Sequence, residues 1–490
     1  MVARFVFPSS LAEATRHATT QLVIVQHALI DTKPVAKLVG AETHRWLVEL
    51  SRDVRPGDAG AVGSTLTGGK PRRLALGALP DRGSRYSSEA RPEAVYRVVS
   101  GAGLTKGKGA RGAILAIVSK PAHVTATLNA IGRAFPLLSR ESKTDDDVSI
   151  AVVFATDKGQ VLEVDPVAVR TMENAREAAR LVDLPPSELN TDALAREVRR
   201  QLAGLKGLKL TELVGEALAK AKLGGIYGVG KAAVHPPRMI VVSYKPAKAT
   251  GPHVALVGKG IVFDTGGLHL KPRGSMEGMK SDMGGAAACL GAFRTLVEEK
   301  VARRVTLVLC IAENAIGPGS YKPDDVLELH SGKTVEINNT DAEGRLLLGD
   351  GVSYAARVLG AEVILDAATL TGAQLISTGM VHAAVMSNDA GVEQGLVAAG
   401  FASGDVCHPL IFAPELFQAE FKSPIADMRN SVKNRNNAQS SCAGQFIYSH
   451  IDDTSAKWGH VDLAGPAFRA DRGTGYGVAL LAETVRHLTR

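Results

Sequence analysis

Four carboxylates between residues 264 and 343, with the cationic Lys259, Lys271 and Arg345 beside them, have types and spacings that could hold metal ions and hydrolyse a bond. They fall in four segments. VGKGIVFDTGG sets Lys259 and Asp264 at the end of an apolar run, ahead of Gly266 and Gly267. LHLKPRG carries Lys271, and MKSDMGGAAA places Asp282 before a Gly-Gly helix start. NNTDAEGRLLLGD spaces Asp341, Glu343 and Arg345 two apart ahead of a helix. In an extended stretch residues i and i+2 face the same side, so Asp341 and Glu343 are expected to share one ligand. Taken singly, Asp282 suits a helix cap, and Asp341 and Glu343 suit the positive end of a helix dipole. Taken together, four carboxylates in a poorly solvated cleft would repel strongly. Two divalent cations (+4) would balance Asp264, Asp282, Asp341 and Glu343 (−4). A pair of metals ~3.5–4 Å apart is a recognised hydrolytic device.

The elements around these segments must bring them together. RMIVVSY, HVALVGKGIVF, VTLVLCIA, AEVILDAATL and HAAVMS read as buried strands, alternating with helical stretches such as GGAAACLGAFRTLVEE and RLLLGDGVSYAARVL. That alternation predicts a largely parallel central sheet with its site beyond the carboxyl ends of the strands. In the first third, LVIVQHALI, GAILAIVS and VSIAVVFAT read as strands and HVTATLNAIGRAFPLL as a helix, with no charged constellation among them. Residues 165–184 read as a linker helix stopped by Pro185 and Pro186. At 490 residues the chain exceeds the ~250–300 at which single cores stop growing. The expected fold class is therefore α/β in two domains. A smaller N-terminal α/β domain (1–164) precedes the linker, and a larger α/β domain (185–490) has a central, mostly parallel or mixed sheet flanked by helices and carries the site.

Composition excludes other classes. Apolar residues make up 45% and charged residues 22%, an ordinary globular balance. Net charge is +7, spread along the chain, and aromatics are only 4%. The one local basic cluster, GAGLTKGKGAR, lacks the stacking aromatics a nucleic-acid surface needs and reads as a solvated loop. The four cysteines form no C-x-x-C pair, which points to a reducing compartment. No apolar run is long enough to span a membrane, and the N-terminus lacks a secretory apolar segment, so the expected location is cytoplasmic.

The four segments resemble the leucyl aminopeptidase family (cytosol aminopeptidases), with NTDAEGRL matching its signature stretch. The likeness continues through AATLTGA, KSPIADMRN and WGHVDLAGPAF to GTGYGV, covering Leu184–Arg490. It implies that Asp264 and Glu343 touch both of two divalent cations, that Asp341 completes one site, and that Lys259 and Asp282 complete the other. Lysine must lose its proton to ligate, and two dications could depress its usual pKa of ~10.4. The resemblance further implies water activated by the cations, Lys271 stabilising the oxyanion, and a bicarbonate held by Arg345 as general base. Met279, Ala342, Thr369 and Gly372 would line a side-chain pocket, with Asn339 as a polar contact. The substrates would be peptides with a free N-terminus and a Leu-like first residue, and the assembly a homohexamer. Zinc stands first among the cations, although manganese, cobalt and magnesium suit the ligand types equally.

Two stretches depart from the pattern. Lys280-Ser281 stands where many relatives have Arg-Ala, and Ser431–Phe446 differs from a glycine-rich stretch near the presumed pocket rim. GGIYGVGKAA has P-loop spacing, but Ala232 replaces the Ser/Thr, so it reads as a loop at the start of a domain. His269 and His330 lie near the motifs as groups that could stand behind the site. A different di-metal hydrolase, such as a phosphoesterase, and a non-enzymatic binding or regulatory role, including on DNA, are the competing functions. The lysine ligand and the NTDAEGRL context disfavour the first, and the missing basic stripe disfavours the second.

Overall fold

The structure is a computed structural model that describes residues 3–57, 59–106, 109–142 and 147–488. The chain divides into two compact units: Met1–Arg176 with Gly400–Gly404, and Glu177–Ala399 with Asp405–Arg490. The division falls inside the helix Pro166–Asp183, which ends where the two prolines forbid another turn. Gly107 and Lys108 of the basic cluster lie outside the described residues.

The first unit is built on strands β1 (Ala3–Val6), β2 (Thr20–Gln26), β3 (Ala61–Leu66), β4 (Arg73–Leu79), β5 (Arg111–Val118), β6 (Val148–Thr156) and β7 (Val161–Leu162). Their order is β1-β6-β5-β2-β4-β3, with β7 beside β6. The central strands run parallel, while β3 and β7 are antiparallel. Both faces are covered: Leu22 and Ile24 enter one apolar core, Val23 and Val25 the other. That explains why these strands read as continuous apolar runs. The expected strand LVIVQHALI stops at Gln26, because His27–Leu29 turns into a 3-10 helix and Ala28 N donates to Asp81 Oδ1 at 2.7 Å.

The second unit contains β8 (Leu208–Val214), β9 (Arg238–Tyr244), β10 (Val254–Asp264), β11 (Val305–Asn314), β12 (Val326–Glu328), β13 (Thr334–Glu336), β14 (Val363–Ala368), β15 (Ala383–Ser387), β16 (Cys407–Pro409), β17 (Met428–Arg429) and β18 (Lys457–Asp462). Eight of these form a mixed sheet in the order β16-β15-β18-β14-β10-β11-β9-β8. Its centre, β18-β14-β10-β11, is parallel, and β9, β8 and β15 pair antiparallel. The helix Gly284–Glu298 is buried along most of its length, as is Gly344–Arg357. Ala255, Val257 and Ile261 of β10 pack in one core with Leu346, Leu347 and Val352. Burial of this apolar surface, at roughly 25 cal/mol per Å², fixes the strand ends that carry the polar groups. Among the described residues no helix is long and apolar enough to cross a membrane.

GGIYGVG is a correction: it forms the helix Gly224–Gly230 instead of a loop. Its start docks on the helix Gly344–Arg357, where Ile226 N donates to Asp350 Oδ2 at 2.9 Å. A Cβ on Gly225 would lie 2.3 Å from the Leu346 carbonyl oxygen, so the glycines permit close approach of backbones.

Candidate metal centre and active site

Strand β10 delivers two of the key side chains. Lys259 shares a strand face with Val257 and Ile261, so its stem is buried in the core while Nζ reaches the strand end. Between Ile261 and Asp264 the pairing with β11 shifts register, which brings Asp264 opposite Asn314. Asn314 Nδ2 donates to Asp264 Oδ1 at 2.8 Å and Gly266 N donates to the same oxygen at 2.8 Å. Gly266 has φ +86°, and a Cβ there would sit 2.4 Å from the His269 carbonyl oxygen, so this turn requires glycine.

Asp264, Asp341 and Glu343 converge, each offering a carboxylate oxygen within 4.8 Å of the others. Lys259 Nζ lies 2.8 Å from Asp282 Oδ1 and 2.9 Å from Glu343 Oε1. Lys271 Nζ lies 2.8 Å from Asp264 Oδ2 and 2.5 Å from Asp341 Oδ1. Thr369 adds two contacts: its hydroxyl donates to Asp282 Oδ1 at 2.8 Å, and its carbonyl accepts from Lys259 Nζ at 2.9 Å. All five expected ligands and Lys271 therefore meet in one cluster.

The segment bearing Asp341 and Glu343 is not extended, which corrects the reasoning that first paired them. Thr340–Asp341 is a turn: Asp341 N donates to Asn339 Oδ1 at 3.0 Å and Ala342 N to Asn339 O at 3.2 Å. Asn430 holds this turn from outside. Its Oδ1 accepts from Asn338 N and Asn339 N, and its Nδ2 donates to the carbonyls of Asn339 and Ala342. Arg345 Nη1 donates to the Asn430 carbonyl at 3.0 Å, while its buried Nε has no partner.

Other expected positions are less engaged. Met279 opens the half-buried 3-10 turn Met279–Ser281, and its carbonyl accepts from Asp282 N. Gly372 starts the helix Gly372–Ser377, capped by Thr371, and a Cβ there would face open space. His330 is tied to Asp350 and Ser353 instead of to the acids. Sequence reasoning missed Asn314, Asn430 and Tyr321, whose hydroxyl donates to the Thr340 carbonyl at 2.6 Å. A polar Asn closing the apolar run of β11 was the one available signal.

Electrostatics follow from burial. Burial raises Asp264, with Glu343 adding to it against Lys271; burial raises Asp341, with Asp264 adding to it; and burial raises Asp282 well above its ordinary value, with Glu343 and Asp264 adding to it against Lys259. Burial pulls Lys259 down, but Asp282, Glu343 and Asp264 outweigh it and hold the ammonium above its ordinary range. The same competition, decided by Asp264 and Asp341, raises Lys271. Burial pushes Arg345 down to about 10 despite Glu343. Fully ionised, the four carboxylates and two ammoniums would sum to −2, and Asp282 Oδ2 is buried without a partner. Oxygen donors with uncompensated negative charge fit divalent cations.

Residues 176–482 match the catalytic domain of the cytosol aminopeptidase family. The human "Probable aminopeptidase NPEPL1" is 47% identical over 420 residues, covering 83% of this chain and 78% of that protein. Leucine aminopeptidase 1 of Caenorhabditis elegans is 42% identical, covering 82% of each chain. The solved structure of leucyl aminopeptidase from Trypanosoma brucei in complex with bestatin superposes with a TM-score of 0.90 at 33% identity, covering 99% of this chain and 96% of that one. The chain therefore belongs to the cytosol aminopeptidase family, a divalent-metal-dependent family of peptide hydrolases.

Proposed function

We propose that this protein releases Leu-like residues from the free N-terminus of peptides, using two divalent cations held by Lys259, Asp264, Asp282, Asp341 and Glu343. The convergence of four acids carrying two unbalanced charges supports this reading. Zinc comes first, with manganese, cobalt and magnesium suited to the same donors. When bound, the cations supply Lewis acidity and lower the pKa of water. Lys259 must give up its ammonium proton to serve as a ligand. Lys271 keeps its charge and donates to the oxyanion as the scissile carbonyl becomes tetrahedral. Arg345, buried with a free Nε–H, would hold a bicarbonate, which would supply a general base there.

Met279, Ala342, Thr369 and Gly372 would form the pocket for the first side chain, with Asn339 as its polar contact. An apolar pocket of that kind separates aliphatic side chains by only ~1–3 kcal/mol per methylene. Residues 185–490 would carry catalysis, 165–184 the linker and 1–164 a separate α/β domain. The family resemblance also supports a cytoplasmic homohexamer.

The test uses metal-stripped protein and two peptides, Leu-Gly-Gly and its N-acetyl form. Free leucine should appear from the first only, and only after a divalent cation is restored. Equal rates on both peptides, or turnover of phosphate esters instead, would refute the reading.

A further inference from the structure

We propose that His269 is a positioning residue that latches together the two loops presenting the metal-binding acids. One loop, 264–278, carries Asp264 and Lys271; the other, 338–343, carries Asp341 and Glu343. His269 N donates to Thr340 Oγ1 at 2.8 Å, and Thr340 N returns a hydrogen bond to His269 Nδ1 at 3.1 Å. The Thr340 hydroxyl then donates to the Gly266 carbonyl at 2.7 Å. Thr340 is fully buried, and its carbonyl is held by Asn314 Nδ2 at 3.1 Å and Tyr321 Oη at 2.6 Å. His269 thus clips the segment after β10 onto the buried Thr340. Since Nδ1 accepts the Thr340 N–H, the ring proton resides on Nε2.

The need for a latch is electrostatic. Asp264 and Asp341 repel, and the ammonium of Lys271 joins their loops by charge in the chain alone. In the proposed reaction Lys271 serves the oxyanion, which leaves the loop spacing during turnover to other contacts. Uncharged hydrogen bonds between His269 and Thr340 fix that spacing whether or not the cations are present. Groups standing behind metal ligands typically change metal affinity or activity by ~10–100-fold.

This inference rests on the two-cation reading, and the experiment separates the two. Metal-stripped wild type, His269→Ala, His269→Asn and His269→Gln are titrated with Zn²⁺ and Mn²⁺ against a chromogenic chelator, and kcat and KM for Leu-Gly-Gly are measured. Thermal melting of each metal-free protein verifies folding. In His269→Asn the amide Oδ1 takes the place of Nδ1 and can accept from Thr340 N–H; the longer Gln carries its amide past that point. Cation affinity and kcat should fall ~10–100-fold in His269→Ala and His269→Gln, with KM moving less, and His269→Asn should recover most of the loss. Wild-type affinity in His269→Ala, or equal losses in folded His269→Asn and His269→Gln, would overturn the latch. Failure of the wild type to bind either cation would overturn the two-cation reading itself.

Discussion

Gly344 leaves the space that the Lys259 side chain fills: a Cβ on Gly344 would lie 2.6 Å from Cε and 2.7 Å from Nζ of Lys259. The start of the helix Gly344–Arg357 thus leaves a channel for the lysine stem rising from β10. Gly344→Ala should favour the helix by up to ~1 kcal/mol on propensity alone. It should nevertheless push Nζ away from Asp282 and Glu343, lowering turnover and cation affinity by about tenfold or more. Wild-type turnover in a folded Gly344→Ala protein would show that Lys259 need not sit where it does.

Lys259→Arg tests the same position by charge. A guanidinium stays protonated, with a pKa above ~12, so it cannot donate a lone pair to a cation. The variant should fold, retain fewer cations per chain than wild type and lose most activity. Metal content and turnover matching wild type would reduce Lys259 to electrostatic support.

Removing the cations should also cost stability. With four acids facing two ammoniums, the metal-free fold carries repulsion that bound cations relieve. A ligand at 100 times its Kd stabilises the fold by ~2.7 kcal/mol. The melting temperature should therefore rise with cation concentration and fall with chelator. A melting temperature indifferent to both would contradict a metal centre built from these acids.

A separate acid sensitivity lies at His450. This imidazole is fully buried, hydrogen-bonded through Nδ1 to Ser331 Oγ at 2.7 Å, and its Nε2 has no partner. Burial, with Lys333 and Arg357 nearby, pushes it down to about 3. The unfolded chain binds this proton near pH ~6.5. As pH falls from there toward about 3, the unfolded state gains a proton that the folded state refuses, so stability declines. The slope from this one site is about 1.4 kcal/mol per pH unit. His450→Gln should be less stable at neutral pH but should flatten the acid limb of a melting-temperature profile measured from pH 7 to 4. An unchanged acid limb would assign that sensitivity to other groups.

The amino-acid sequence by itself determined the strands RMIVVSY and HAAVMS, the helices after Gly284 and Gly344, and the acids that would meet. These were legible because burial on both faces of a parallel sheet leaves continuous apolar runs, and because polar residues at their ends stand out. Strands β8 and β16 were not legible, since β8 is largely exposed or half-buried and β16 is three residues long.

Tertiary structure alone decided how the acids meet. Asp341 and Glu343 come together through a turn held by Asn430, a residue far along the chain, and not through strand alternation. Asp264 turns toward them because a register shift in β10 and a left-handed glycine redirect the chain. GGIYGVG became a helix because its backbone could dock against Leu346 and Asp350. Local pattern specifies which residues seek burial and which need partners. The partners themselves are chosen by long-range packing, whose hydrogen bonds link segments with no spacing relation in the sequence.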